Sequence, residues 1–106
     1  MSSLLEGNQG TTSTYFNQGN LLKLSGKWEE AVAAYRRCIE LNPDFAWYHH
    51  NLGEVLAKLG QWNEASRCYQ RACELNPNSA WSYHNWGEVL EQQGQLGQAV
   101  AAYRRA

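Results

Sequence analysis

The chain has 106 residues, of which 43% are hydrophobic, and a formal net charge of -1 at pH 7. This length suits one domain with a modest core and is too short for a domain plus a catalytic insert. A net charge near zero provides no global field for nucleic acid or an anionic membrane, and no apolar run approaches the roughly 20 residues that span a bilayer. Neither nucleic acid nor a membrane is therefore expected as a partner.

The first ten residues, MSSLLEGNQG, contain neither a basic region nor a long apolar segment, so they do not resemble a secretion signal. We expect residues 1–11 to form a flexible tail. The three cysteines of the chain, Cys38, Cys68 and Cys73, are odd in number and unevenly spaced, which favours a reducing compartment over a disulfide framework. The sequence therefore predicts a cytoplasmic location.

From residue 12 onward the sequence repeats itself with a period of 34 residues. The stretch AWYHHNLGEVLAKLGQWNEA at 46–65 returns as AWSYHNWGEVLEQQGQLGQA at 80–99, with 11 of 20 positions identical. Laid out by this period, the chain forms three rows, 12–45, 46–79 and 80–106. The recurring columns are Gly19/Gly53/Gly87, Leu22/Leu56/Leu90, Gly26/Gly60/Gly94, Ala31/Ala65/Ala99 and Tyr35/Tyr69/Tyr103.

Each row predicts two helices. In the second row, Gly60 should end the first helix because a residue without Cβ turns the chain at little cost. An LNP string that closes on Pro77 should end the second helix, since proline cannot continue the hydrogen-bond ladder. Asp44, Asn78 and Ser79 are expected caps for the helices that follow. The apolar residues of the first helix recur at helical spacing, at Leu52, Val55, Leu56 and Leu59.

These residues resemble the tetratricopeptide repeat, a helix-turn-helix unit of 34 residues. The resemblance covers residues 12–106, with local departures at Gln18, Cys38 and Trp86. It implies an all-α, right-handed solenoid of five to six helices, in which first helices line a concave groove and second helices form the convex back. The second row matches most of the family pattern, at Leu52, Gly53, Leu56, Gly60, Trp62, Ala65, Tyr69, Ala72 and Pro77.

The resemblance also implies a function, that of a non-catalytic scaffold binding an extended peptide or a partner helix in its groove. The groove places of the family fall on equivalent positions of each row. The candidate binding residues at these places are Asn17, Asn20, Trp47, His50, Asn51, Glu54, Trp81, His84, Asn85 and Glu88.

Asparagines and tryptophans are the most specific of these candidates. Asn17, Asn51 and Asn85 recur in all three rows, although asparagine is a mediocre helix former. A side-chain amide can both donate to and accept from a peptide backbone, so we expect an exposed ladder of amides. The alternative is that each amide bonds a neighbouring helix or merely reflects duplication of the repeat. Trp47 and Trp81 are either anchors for an apolar side chain or packing groups against the preceding turns.

Some family members clamp a C-terminal carboxylate with two asparagines and three basic residues. By this resemblance, Asn20 and Asn51 match the asparagine places, whereas Phe16, Trp81 and Asn85 occupy the basic ones. The charges that would neutralise a carboxylate are missing, so a carboxylate-tail ligand is disfavoured.

The histidines form i, i+4 pairs, His50 with Glu54 and His84 with Glu88. Each pair lacks the third ligand that zinc needs, so we interpret both as helix-surface pairs. The sequence contains no nucleophile elbow and no phosphate-binding glycine loop. It therefore predicts no enzyme activity, no metal and no cofactor. The acidic residues expected in the groove, which include Glu91, further disfavour nucleic acid.

The third row ends at Ala106, within its second helix. Val100, Ala101 and Tyr103 are then expected to lie partly uncovered, although terminal repeats need a polar outer face. Our hypothesis is that the chain is a segment of a longer repeat protein. The alternative function is a structural spacer or a homo-oligomer formed through this uncapped C-terminal repeat.

Overall fold

A computed structural model describes the backbone of residues 3–106 and the side chains of residues 12–106. This part of the chain contains six α-helices and no strand, and consecutive helices pack in three pairs, α1 on α2, α3 on α4 and α5 on α6. Each pair packs on the next through α2 against α3 and α4 against α5, which produces an α-solenoid of 53 × 27 × 18 Å. The helices are α1 (Ser3–Leu24), α2 (Trp28–Leu41), α3 (Ala46–Lys58), α4 (Trp62–Leu75), α5 (Ala80–Gln92) and α6 (Leu96–Arg105).

The turn inside each pair depends on one glycine. Gly26, Gly60 and Gly94 have φ values of 75°, 74° and 76°, in the left-handed region that an L side chain rarely adopts. After α3, the Gln61 N–H donates to the carbonyl of Leu56 at 2.9 Å, a closing bond found at glycine-terminated helices. The predicted end of the first helix at Gly60 is therefore confirmed.

The two helices of a pair approach closely because a tyrosine ring lies directly on a glycine. A Cβ added to Gly19 would lie 2.7 Å from Cε1 of Tyr35, and one added to Gly87 would lie 2.6 Å from Cε1 of Tyr103. Such distances are too short for packed carbon atoms. The glycine and tyrosine columns of the sequence are thus two halves of one contact.

The main hydrophobic cluster runs continuously across α2, α3, α4 and α5, with Val89 as its last fully buried member. A second, smaller cluster lies between α5 and α6 and contains Leu90, Ala99 and Ala102. The core is therefore graded along the solenoid, broad at the second pair and narrow at the third. This follows from repetition, because each pair buries its apolar side on its neighbour.

Helix caps follow the predictions only in part. Ser79 is the N-cap of α5, and its Oγ accepts the N–H of Ser82 at 3.3 Å, as expected. The N-cap of α3 is Phe45, which has no side-chain capping bond, so the prediction that Asp44 caps this helix is wrong. The carboxylate of Asp44 instead lies 3.6 Å from the Arg71 guanidinium.

The helix starts agree with the rows of the sequence, since α3 and α5 begin at Ala46 and Ala80. The division into repeats at these points stays a prediction. The expected tail over residues 1–11 lies partly outside the described residues. The backbone from Ser3 onward is included in α1, and the flexibility of the tail stays a prediction. Within the described residues, no helix combines the length and apolar character needed to cross a membrane.

Candidate functional site

Two indoles stand out on the first helices of the second and third pairs. Trp47 at the start of α3 is 43% exposed, and Trp81 at the start of α5 is 69% exposed. The Trp47 ring meets the His50 ring edge-on with centroids 5.0 Å apart, which fixes its orientation. Because the two tryptophans are one repeat apart, they offer two apolar surfaces on the first helices of successive pairs, α3 and α5.

A cavity of about 340 Å³ lies between α3 and α5, with a wall from α4. Tyr69, which is buried, and Trp62 contribute its aromatic surface. The side chains that also line it include Glu54, Lys58, Asn85 and Glu88. Volumes of this size accommodate one side chain or a short segment of a ligand.

The two carboxylates of the cavity differ in their surroundings. Glu54 is half-buried and forms an ion pair with Lys23 of α1, with Nζ and Oε1 3.0 Å apart. Glu88 is exposed, and its Oε1 lies 3.9 Å from Nε2 of His84. The charge of Glu54 is therefore partly compensated within the protein, whereas Glu88 faces solvent.

His50 differs from the expectation of a helix-surface pair with Glu54. Its side chain is buried, and Nδ1 lies 2.9 Å from Oγ of Ser82, on α5. Nε2 is 3.8 Å from Oε1 of Glu54. Burial lowers the pKa of His50 below its usual value of 6.5 and outweighs the opposing effect of the Glu54 carboxylate. The surface interpretation is wrong for this pair, because α5 covers the imidazole.

The asparagines do not form the uniformly exposed ladder that was expected. Asn17 is exposed, Asn85 is half-buried, and Asn51 is 8% exposed and counts among the buried polar residues. The expected exposure is thus wrong for Asn51, because α3 belongs to the middle pair and packs against α2, α4 and α5. Asn85 lines the cavity together with Tyr69. Asn20 accepts a hydrogen bond from the Tyr35 hydroxyl at 2.6 Å.

A polar network that was not predicted from the sequence crosses three first helices. It consists of Lys23 on α1, Glu54 and His50 on α3, and Ser82 on α5, whose hydroxyl also accepts from Ser79 at 2.9 Å. The available signal was Ser82 itself, a serine in the column where the second row has Tyr48. A small hydroxyl there leaves room for the imidazole of the preceding pair.

The cysteines have none of the features of reactive thiols. Cys38 and Cys73 are buried, and burial raises the pKa of both Cys68 and Cys73 to about 11. A thiol with a raised pKa is a poor nucleophile at neutral pH. In residues 12–106, no cluster of three histidine, cysteine, aspartate or glutamate side chains has a geometry that could hold a metal ion.

Solved structures share this architecture at low sequence identity. The second TPR of Spaghetti (RPAP3), bound to the HSP90 peptide SRMEEVD, superposes with a TM-score of 0.88 at 22% identity, covering 94% of each chain. The Arabidopsis OM64 TPR domain gives 0.88 at 23% identity, covering 92% of this chain and 80% of that one. MamA gives 0.85 at 23% identity, covering 89% of this chain and 55% of that one.

Sequence comparisons place the chain in a family. A search of curated proteins finds no match. The family model described as TPR repeat matches residues 19–60 and 54–94, which is more than half of the chain. The chain therefore belongs to the TPR repeat family, a fold that generally mediates protein–protein interaction.

Proposed function

We propose that this protein is a non-catalytic scaffold that binds an extended peptide or a partner helix along its first helices. The binding surface, called the groove below, consists of Trp47, Trp81, Asn85 and Glu88 together with the cavity between α3 and α5. Of the residues predicted from sequence, His50 and Asn51 support the groove from within, because they are buried.

The observation that carries this proposal is the cavity between α3 and α5, together with the exposed Trp81, which stands one helical turn before the cavity-lining Asn85 on α5. Trp81 exposes 69% of its surface, and buried, desolvated aromatics are frequent anchors once a partner covers them. Asn85 stands at the cavity wall with an amide that can pair with a ligand backbone. The combination supplies an apolar anchor, a backbone-binding group and a recess for one side chain.

The charge of the groove argues against acidic ligands. Glu54 and Glu88 line the cavity, and Lys58 is the one cationic side chain among its lining residues in the described chain. The Spaghetti domain holds the peptide SRMEEVD, which has three acidic side chains and an acidic terminus. The present chain has Phe16, Trp81 and Asn85 where the family's carboxylate clamp is basic. We therefore propose a neutral or basic peptide as the ligand.

A displayed library of random peptides, selected on the intact chain, tests this function. We expect enriched sequences that bind the wild type and lose at least about tenfold in affinity on Trp81→Ala or Asn85→Ala, which corresponds to about 1.4 kcal/mol. Isothermal titration measures the loss. Asn78→Ala is the matched control, because Asn78 is an exposed asparagine in the turn between α4 and α5.

Two results would contradict the proposal. One is a selection that yields no binder; the other is a set of binders whose affinity is the same for the wild type and both groove variants. The peptide SRMEEVD serves as the charge probe. Tight binding of this peptide would contradict the proposed preference for neutral or basic ligands while leaving the scaffold function intact.

The proposed setting is cytoplasmic. All three cysteines lie in the described part of the chain and are free, and two of them are buried in the core. Such thiols persist in a reducing compartment.

Self-association is a second candidate function, favoured by the surface of α6. Val100 is 48% exposed, whereas Val32, its equivalent in the first row, is 8% exposed. Leu96 on the same helix is also exposed. An apolar face of this kind favours a protein contact, and sedimentation of the wild-type chain over a wide concentration range tests it.

A further inference from the structure

The same column of the sequence has different surroundings at the start of the solenoid and in its interior. Leu21 on α1 is 64% exposed, whereas its equivalents Val55 and Val89 are 0% and 2% exposed. Val55 and Val89 lie in the main hydrophobic cluster, because a preceding pair covers them. Two further residues of this side, Thr14 and Gln18, are exposed as well. Thr14, Gln18 and Leu21 are called the α1 face.

The opposite end of the solenoid shows the complementary half of that contact. Leu96 and Val100 on α6 are equivalent to Trp28 and Val32 on α2, which pack into the main cluster under the second pair. The column of Val100 faces the following pair, since Ser66, its second-row equivalent, accepts a hydrogen bond from Nε1 of Trp86 on α5. Leu96 and Val100 on α6, together with His84 on the neighbouring α5, are called the α6 edge.

We propose that a second copy of this chain places its α1 face on the α6 edge, so that copies stack head to tail. This rests on the proposed self-association and adds the partner surface and its orientation. The contact would reproduce the packing that already joins α2 to α3 and α4 to α5. Leu21 of one copy would then pack on Leu96 and Val100 of the next. Within the chain, its equivalent Val55 packs in the main cluster with Trp28 and Val32 in the same way.

A polar contact inside the chain has its counterpart at this junction. His50 meets the ring of Tyr69 with centroids 5.5 Å apart, and Nδ1 lies 2.9 Å from the Ser82 hydroxyl. His84 meets the ring of Tyr103 at the same centroid distance of 5.5 Å. Thr14 is the first-row equivalent of Ser82, so its hydroxyl in the second copy would reach His84 as Ser82 reaches His50.

Gln18 sets the strength of the contact. It stands where Leu52 and Trp86 stand in the later rows, and both of these pack against the main cluster or within it. An amide facing Val100 loses hydration without gaining apolar contact. The head-to-tail junction is therefore weaker than the internal ones, and stacking is reversible and dependent on concentration. Repeated contacts of this heterologous kind form open chains rather than closed dimers.

Mixing two single variants tests the geometry. Leu21→Asp places a charge on the α1 face, and Val100→Asp places one on the α6 edge. Both residues are exposed, and circular dichroism tests that each variant folds. In analytical ultracentrifugation, we expect the wild type to associate with concentration and each variant alone to remain monomeric. An equimolar mixture forms a one-to-one complex, because one intact α1 face and one intact α6 edge remain.

Other results overturn the proposal in distinguishable ways. If Leu21→Asp associates as strongly as the wild type while Val100→Asp does not, two α6 edges meet each other, and head-to-tail stacking is excluded while self-association stands. A wild type that stays monomeric at every concentration excludes both head-to-tail stacking and self-association.

Gln18→Leu provides a gain-of-function check and should tighten association at least tenfold; no tightening counts against the α1 face. Asn85→Ala, a groove variant, should leave association unchanged, and a loss would assign it to the groove.

Discussion

At the scale of single residues, the glycines and tyrosines that recur in each repeat are explained by the way one packs against the other. Tyr35 is fully buried, its ring lies on the backbone at Gly19, and its hydroxyl donates to Asn20 at 2.6 Å. The ring is thus held at both its face and its tip. A side chain at position 19 has no space, because neither α1 nor the tyrosine can yield without breaking that bond.

Gly19→Ala should therefore destabilise the protein by about 1–3 kcal/mol, the usual cost of overpacking a filled core. Gly97→Ala is the matched control, since nothing lies within 4 Å of a Cβ built at Gly97 in α6. It should stabilise the chain by up to about 1 kcal/mol through helix propensity. Urea unfolding measures both, and a stabilising Gly19→Ala would contradict the proposed close approach.

At the scale of helices, the polar network joins α1, α3 and α5 on the side of the groove. His50 is its centre, facing Lys23 from α1, Glu54 on its own helix, Ser82 from α5 and the ring of Tyr69 from α4. Because the imidazole is buried, the folded protein favours its neutral form. The network therefore connects helix packing to pH.

Acidification should weaken packing through His50. The folded state has a pKa below 6.5 for this group, so the unfolded state binds the proton first as the pH falls. The stability contributed by neutral His50 is present above pH 6.5 and is lost as the pH decreases towards the folded-state pKa. Thermal midpoints measured between neutral and mildly acidic pH should fall accordingly in the wild type.

His50→Asn isolates this effect, because the amide can still bond Ser82 but does not titrate. Its thermal midpoint should decrease less on acidification than that of the wild type. His84→Asn makes the same substitution at the exposed equivalent position and serves as the matched control. Equal pH dependence in wild type and His50→Asn would show that other groups cause the loss.

At the scale of the whole molecule, the solenoid is held by neighbours rather than by a single centre. The second pair contacts pairs on both sides and contains fully buried Val55, Leu56 and Ala65. The third pair has its own small cluster around Leu90. In such an array, stability is approximately a sum of repeat and interface contributions, so the helices need not open together.

Truncating equivalent leucines in the second and third pairs should reveal the graded core. Leu56→Ala should cost about 2–5 kcal/mol and lower the protection of all described helices, because Leu56 is fully buried in the main cluster. Leu90→Ala should open α5 and α6 and spare α2 and α3. Hydrogen exchange followed by mass spectrometry distinguishes the two, and an equal loss of protection in every helix for Leu90→Ala would refute the graded core.

The candidate site was less predictable than the fold. Equivalent positions in the rows were expected to share one exposure, but the structure gives three environments to Asn17, Asn51 and Asn85. The register of a helix fixes which side a residue occupies, not how closely the next helix covers that side. The packing of neighbouring pairs decides this.

The sequence by itself determined the helices, their turns and their pairing. Helical spacing of apolar residues, glycines at the turns and glycine–tyrosine columns are local or periodic requirements, so they can be recognised in the sequence. Only the tertiary structure decided which polar side chains are free to bind a partner. Burial of His50 and Asn51, and exposure of Leu21 and Val100, depend on which neighbouring helix is present, because accessibility is a property of the assembled surface.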